Sequence, residues 1–359
     1  MNMKFIHMAD MHFDSPFVNL ASKKNLSEER RLEQRKAIKE IVEYIKENNI
    51  PYLFIAGDLY EHEYIRKSTI DYINNLFGEI PKTRIFITPG NHDPFLKNSF
   101  YNQYEWSENV HIFKDELEIV ETEETDIYGY GFCDFYMQNN NHNIKIKNPN
   151  KINILITHGS LDGGSDENRE YNPMTSKELR ETKFDYIALG HIHKRSFDEN
   201  RIVYPGSTVS LGFDELGDRG VVLGEIDEGK VNLEFIKINT KTFEEMELDV
   251  TEIDSKESLI ETLNNMQLYK DKFYKIILTG KRNFDININE IREFIIPEHI
   301  IKIKNKTTIK YDIEDIAKQV SLKGLFAKNI LSKVNNEQIS EKDKEKLLNA
   351  FEIGIDILT

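Results

Sequence analysis

Five short apolar runs punctuate the N-terminal half of the chain: FIHMA (5–9), YLFIAG (52–57), RIFIT (84–88), INILIT (152–157) and YIALG (186–190). Their length and composition are those of buried strands. Between the first two, Ile38, Ile41, Val42 and Ile45 recur at helical spacing, with Ser27 and the acids after it as a start signal. Ile70, Ile73 and Phe77 repeat the pattern between the second and third. Strands alternating with amphipathic helices predict an α/β core. From 201 to 238 strand patterns follow one another, with a hairpin at Asp227-Glu-Gly-Lys230 between VVLGEI and VNLEFIKI.

The pattern then changes twice. FEEMELDV, a helix with Leu259, Leu263 and Met266 on one face, KIILTG, a short helix near NEIREFI, and HIIKIK predict a small α/β unit over 241–311, with its boundary near 239–243. In the last segment Leu322, Phe326 and Ile330 mark one helical face and Leu347, Phe351, Ile355 and Leu358 another, separated by NNEQIS. Two such faces have little around them to bury both, which points to a partner; the competing reading is that they dock on their own domain. The expected domains are 1–240, 241–311 and 312–359.

At 359 residues the chain exceeds one ordinary domain, and its 39% hydrophobic content contains no apolar run near the length of a membrane span. The opening MNMKFIHMADMHFD meets charge too early for a secretion leader, and Cys133 is the sole cysteine. A reducing cytoplasm is expected, with Cys133 as a buried small residue. The formal charge of -15 weighs against a nucleic-acid partner, because phosphate contact usually rests on a basic surface. The acidic DELEIVETEETD (115–126) and the lysines of HNIKIKNPNK (142–151) read as solvated faces.

Candidate chemistry sits where the apolar runs end. Asp10 and His12 follow the first, Asp58 the second, Asn91 and His92 the third, His158 the fourth, and His191 and His193 the fifth. In open α/β sheets sites form outside the carboxyl ends of strands, so residues far apart in sequence can converge. Asp10/His12 and His191/His193 are i, i+2 pairs, which share one face of an extended chain. Gly57, Gly90, Gly159 and Gly190 flank these positions where backbone must turn tightly. Imidazole, carboxylate and amide oxygen suit Mn, Fe or Zn, and the lack of thiolates argues against a structural zinc. Seven ligands exceed the needs of one ion; with one carboxylate shared they make two sites of four, able to clamp a phosphate for in-line displacement. Two divalent ions outweigh the charges of Asp10 and Asp58, so the centre attracts an anion despite the acidic chain. A single histidine at a strand end is more often structural, and the set as a whole carries the reading. His7 reads as core, and His62, His111 and His142 as surface or loop.

The ordered set D-x-H (10–12), GDLY (57–60), GNHD (90–93), THG (157–159) and GHIH (190–193) resembles the calcineurin-like metallophosphoesterase superfamily over residues 4 to about 225. With HMADMHFDSPF, YPGS (204–207), GFDE (212–215), the small domain and the terminal helices, the chain is similar to the SbcD-type DNA repair nucleases, most nearly the bacterial YhaO-like branch. The resemblance implies an α/β metallophosphoesterase β-sandwich flanked by helices, with a smaller α/β capping domain and C-terminal helices. It implies two Mn ions and an exo- and endonuclease acting on single- or double-stranded DNA ends. Asp10, His12, Asp58 and His193 would hold one ion, and Asp58, Asn91, His158 and His191 the other, with Asp58 bridging. His92 would face the scissile phosphate as the acid for the leaving oxygen. Residues 312–359 would bind the coiled-coil base of an SbcC-type ATPase, and a homodimer is expected.

One departure matters. Three residues after Asp58 stands Glu61, where archaeal and eukaryotic relatives carry histidine. Glu61 is expected to hydrogen-bond His92 and keep its imidazole protonated, against a reading as a solvated glutamate in the EHE turn. Two other functions fit the same residues: a phosphoesterase of small molecules or phosphoproteins, and an ATPase-organising scaffold with a decaying site. GDLYEHE lacks the second aspartate and the arginine of a GDxxDRG pattern, which disfavours a protein phosphatase, and the intact ligand set argues against decay.

Overall fold

Strands β1 (Asn2–Met8), β2 (Tyr52–Ala56), β3 (Arg84–Thr88) and β4 (Val110–Ile112) run parallel, since α1 (Leu26–Asn48), α2 (Lys67–Gly78) and α3 (Phe100–Gln103) supply the crossovers that parallel strands need. The computed structural model describes residues 2–17, 26–138, 144–163, 171–198, 201–336 and 339–358. It divides into one unit of Met1–Glu244 with Tyr269–Phe273 and another of Glu245–Leu268 with Tyr274–Thr359.

The first unit holds two six-stranded sheets. The second sheet contains β5 (Glu118–Glu121), β6 (Thr125–Gly129), β7 (Ile152–His158), β8 (Tyr186–Gly190), β9 (Ser196–Asp198) and β10 (Ile202–Tyr204), in the order β5-β6-β7-β8-β10-β9; α4 (Ser176–Glu181) lies between β7 and β8. The first sheet is completed antiparallel by β11 (Gly220–Asp227) and β12 (Lys230–Lys237), in the order β12-β11-β1-β2-β3-β4. Asp227 pairs with Lys230 across a two-residue turn whose Glu228 and Gly229 both have positive φ, 48° and 76°, the geometry that matches strand twist.

Alternation along the strands sorts side chains into three apolar layers. Phe5, Phe54 and Phe86 of the first sheet pack against Ile154, Ile156, Tyr186 and Ala188 of the second, so the sheets face each other as a sandwich. The opposite face of the first sheet, with Ile6, Leu53, Ile55 and Ile85, meets Ile38, Ile41, Val42 and Ile45 of α1 and Ile70, Ile73 and Phe77 of α2. Leu155, Ile187 and Leu189 form a third layer with Leu179 and Phe184.

Three expectations change. Cys133 is exposed, because its neighbour Phe132 takes the buried position where the chain leaves β6. The acidic 115–126 stretch is not wholly solvated: it contains β5 and the start of β6, and Asp126 is fully buried. Its partners are the lysines that also read as a solvated face, with Lys147 Nζ 2.5 Å from Glu121 and Lys151 Nζ 3.0 Å from Asp126. The helical face predicted around Leu322 also shifts along its helix.

The strands β13 (Thr242–Asp249) and β14 (Lys272–Thr279) begin in the first unit and continue, from Glu245 and Tyr274, into the second, which adds α5 (Lys256–Asn264), β15 (Lys281–Arg282), α6 (Ile288–Glu293), β16 (Ile300–Asn305) and β17 (Thr308–Ile309). The second unit has its own core of Leu259, Leu263, Tyr274, Ile276, Leu278 and Ile303. Helices α7 (Ile313–Ala317), α8 (Leu322–Val334) and α9 (Glu341–Leu358) bury Ala317, Ala327, Ile330, Phe351 and Ile355 together. The buried stripe of α8 is Gly324, Ala327 and Ile330, whereas Leu322 stays 67% exposed. A Cβ at Gly324 would lie 2.0 Å from the carbonyl oxygen of Gln319, so the small residues are what let the preceding turn approach. Among the described residues no helix is long and apolar enough to cross a membrane.

Arg30 on α1 fastens a later loop. Fully buried, it pairs with Glu33, donates to the carbonyls of Ser210 (2.5 Å) and Lys241 (3.1 Å), and lies over the rings of Phe243 and Phe273. Arg30→Met leaves Glu33 without its cation, and a loss of about 3–5 kcal/mol is expected from the denaturant midpoint. A loss below about 1 kcal/mol would mean that Arg30 is not the fastening.

Candidate metal centre

The centre forms where the carboxyl ends of β1, β2, β3, β7 and β8 meet. Extended spacing does not bring Asp10 and His12 together, contrary to expectation. β1 stops at Met8, and Asp10 (φ 52°), His12 (φ 49°) and Asp58 (φ 51°) all occupy the left-handed region. That region is uncommon for residues with a Cβ and is kept where surrounding contacts over-determine it. Here the contacts are backbone bonds between the two loops: Asp10 N–H donates to Gly57 O (3.2 Å) and His12 N–H to Asp58 O (2.9 Å). His191, at φ 108°, is likewise not on extended chain, and its N–H donates to Asp10 Oδ1 at 3.0 Å.

Side chains from both sheets converge. Asp58 Oδ2 lies 3.3 Å from His158 Nε2 and 3.7 Å from His12 Nε2, while His12 Nε2 and His193 Nε2 stand 3.1 Å apart. Asn91 Oδ1 is 3.0 Å from His158 Nε2. Asp10 groups with His12 and His193 on one side and with Asp58 and His158 on the other, each set of ligand atoms within 4.8 Å. Two of the glycines are required by this closeness: a Cβ at Gly90 would lie 2.2 Å from Asp58 Oδ1, and one at Gly57 2.2 Å from His158 Nδ1. His191 stands beside these groups, its ring 5.3 Å from that of His158. Burial, then the charge of His158, pushes its pKa down to about 3, which keeps it a neutral lone-pair donor.

The imidazoles are aimed from behind. His158 Nδ1 bonds Ala56 O (2.9 Å), His12 Nδ1 bonds Glu61 Oε1 (2.8 Å) and His193 Nδ1 bonds Glu215 Oε1 (2.6 Å). With Nδ1 bonded from behind, each Nε2 faces the centre, the usual arrangement behind metal-bound histidine; acidic neighbours push His158 and His193 up to about 9 against burial, and the protons they hold are ones that a bound metal would displace. Glu61 uses its other oxygen on His92 Nδ1, 3.0 Å away, so one carboxylate holds both a centre-facing imidazole and the ring beside it. Burial opposes charge on His92, yet Asp58 and Glu61 push its pKa up to about 10; hydrogen bonds from His12 and His92 outweigh burial and hold Glu61 at about 2. His92 keeps a side chain 45% exposed.

Two supporting acids were not read from the sequence. Glu215, within the GFDE motif, is 7% exposed; besides His193 it binds Ser207 Oγ (2.5 Å) of YPGS and Leu211 N–H (3.1 Å). Asp93, the last residue of GNHD, accepts from the backbone of Asp58, Leu59, Tyr60 and Gly90 and from Tyr101 Oη, fixing both turns. Both motifs were visible, but an acid that follows a ligand or ends a loop carries no spacing signal of its own. His7 is buried, with Nδ1 2.9 Å from Tyr186 Oη; His111 lies on β4 and His62 packs partly buried against Phe135; His142 is outside the described residues.

Residues 3–195, more than half of the chain, match the family Calcineurin-like phosphoesterase, and the chain belongs to that family. It is therefore a metallophosphoesterase, a hydrolase of a class that uses two divalent metals, and the donor set at the strand ends fits that requirement. It is 26% identical over 319 residues, 85% of this chain and 75% of the relative, to the uncharacterized metallophosphoesterase YhaO of Bacillus subtilis (strain 168). Among solved structures, TT1561 of Thermus thermophilus is 8% identical at a TM-score of 0.39, covering 66% of this chain and 99% of that one. GAP50, the anchor in the inner membrane complex of Plasmodium, is 10% identical at 0.37, covering 66% and 84%.

Glu215→Ala frees the back of His193 without touching a centre-facing atom. A metal titration is expected to show roughly 10–100-fold weaker binding of one ion. Unchanged affinity would remove Glu215 from the site.

Proposed function

We propose that the chain is a Mn-dependent DNA phosphodiesterase, the exo- and endonuclease subunit of a DNA repair assembly with an SbcC-type coiled-coil ATPase. The observation that carries the chemistry is the Glu61 clamp, which sets a half-exposed imidazole, His92, beside the convergent ligands. When bound, the two ions polarise a phosphate and activate water. Asp10, His12, Asp58 and His193 would hold one, and Asp58, Asn91, His158 and His191 the other, with Asp58 shared. Asn91 donates a neutral oxygen, which keeps the centre positive. His92, its Nδ1 held by Glu61, turns Nε2–H toward the leaving oxygen and protonates it.

The polymeric substrate is supported by the segments C-terminal to the phosphoesterase unit. A separate α/β unit supplies further surface for DNA, and the terminal helices leave Leu322, Leu325, Ile353 and Ile357 63–79% exposed. A coiled-coil partner would cover such a surface, which supports the assembly reading over a lone small-molecule hydrolase. The motifs, YPGS and GFDE included, resemble those of the SbcD-type enzymes, and the wiring of Ser207 and Glu215 to His193 gives them a physical task.

The test is Mn-dependent cleavage of linear double- and single-stranded DNA beside bis(p-nitrophenyl) phosphate, by the wild type and Asp58→Ala. DNA cleavage abolished by the substitution is expected. Hydrolysis of the ester alone points to a small substrate, and inactivity even with the ATPase present points to a scaffold. The roles of the adjacent pair separate in the same assay: Asn91→Ala weakens one ion, whereas His92→Ala keeps both and loses turnover by about a hundredfold or more. Equal loss of metal in the two variants contradicts this division.

A further inference from the structure

Directly after His193 the chain lines a second concavity in the phosphoesterase unit. Lys194, Arg195, Pro205, Leu216, Gly217, Asp218 and Arg219 surround about 370 Å³. Its charge is one-sided. Lys194, Arg195 and Arg219 contribute cations, while the only acid of the lining, Asp218, is taken by Lys237 at 2.7 Å. The nearby Glu215 binds His193 and Ser207 Oγ, the hydroxyl that Arg219 also reaches, and so offsets part of the charge of Arg219; Lys194 and Arg195 carry the excess.

Two guanidinium groups are prepared rather than loose. Arg219 is 8% exposed; its Nη atoms donate to His193 O (2.5 Å), Ser207 Oγ (3.3 Å) and Leu216 O (3.1 Å), while its buried Nε has no partner among the described residues. Arg195 is exposed, yet its guanidinium carbon sits 3.7 Å from the centroid of the Phe235 ring. Stacking fixes the plane of the group and leaves its N–H edges to donate, a geometry suited to bidentate phosphate.

We propose that this pocket is a second anion site, which seats a phosphate flanking the scissile one on a polynucleotide; it rests on the DNA reading of the metal centre. Lys194 and Arg195 are one and two residues beyond a ligand of the centre, roughly 4 and 8 Å along the chain at most. Successive phosphates of a strand recur on that scale. The pocket also answers the charge of -15, since local cations follow the metal centre instead of covering the surface.

The test uses the full chain with Lys194 and Arg195 both replaced by alanine, after metal content is confirmed. For a single-stranded oligodeoxynucleotide, KM is expected to rise about tenfold or more with kcat nearly kept, and the salt slope to shrink by about 0.7 for each cation removed. On bis(p-nitrophenyl) phosphate, which offers a single phosphate, kcat/KM falls far less. An equal fall on both substrates, or an unchanged oligonucleotide KM, overturns the proposal. Should the wild type cleave no polynucleotide, the DNA reading fails on its own, and the pocket is then read from inhibition of ester hydrolysis. Inorganic tripolyphosphate, with neighbouring phosphates, should inhibit the wild type about tenfold more tightly than the double variant, while orthophosphate inhibits both alike. Equal inhibition by tripolyphosphate overturns the anion site.

Discussion

Asp10 and Asp58 place two carboxyl groups where water does not reach them, 0% and 1% exposed, and the ends of both sheets are arranged around that constraint: burial pushes Asp10 up, while His158 and His92, against burial, hold Asp58 well below the usual carboxylate range. An uncompensated buried ion costs several kcal/mol even after relaxation. Compensation comes first from backbone N–H groups: His191 donates to Asp10 and His92 to Asp58. It comes next from the imidazoles of His158 and His193, which acidic neighbours push up to about 9 against burial; divalent ions would take over that compensation. The left-handed backbone at Asp10, His12 and Asp58 stores strain of about 1–3 kcal/mol per residue. The sandwich core just beneath, from Phe5 and Phe54 to Ile156 and Ala188, holds the loops in that conformation.

The centre is supported through a chain of contacts that begins far from it. Arg30 grips the carbonyl of Ser210, Ser210 Oγ binds the carbonyl of Glu215, and Glu215 aims His193. A helix early in sequence thus positions His193, a candidate ligand, on the opposite sheet. Glu61 does the equivalent for His12 and His92 together. The histidine pair and Glu61 could themselves surround an ion, since His12, Glu61 and His92 offer ligand atoms within 4.8 Å. Hydrogen bonding decides otherwise, because Glu61 uses one oxygen on the Nδ1 of each ring, leaving the Nε2 of His12 for the centre.

The sandwich strands that carry the candidate ligands were legible because each is a short apolar run, and their order located Asp10, Asp58, Asn91, His158 and His191 at strand ends. The helices α1 and α2 announced themselves by period. What escaped were elements whose local signal is weak: β5 and β6 lie in an acidic stretch whose charges are met by Lys147 and Lys151 from a later loop. The i, i+2 argument for Asp10 and His12 reached the right neighbours for the wrong reason, since period two describes strands and these residues sit in a turn. Glu215 and Asp93 were hidden because supporting acids are recognised by what they touch, which only the fold supplies.

The central claim is a division of labour: seven residues for two ions, with Glu61 and His92 outside both. Anomalous diffraction from crystals of the Mn-loaded protein tests it most directly. Two peaks sharing Asp58, one bound by Asp10, His12 and His193 and the other by Asn91, His158 and His191, with His92 approached by neither, is the predicted result. A single peak, or one bound by Glu61 and His92, would contradict it.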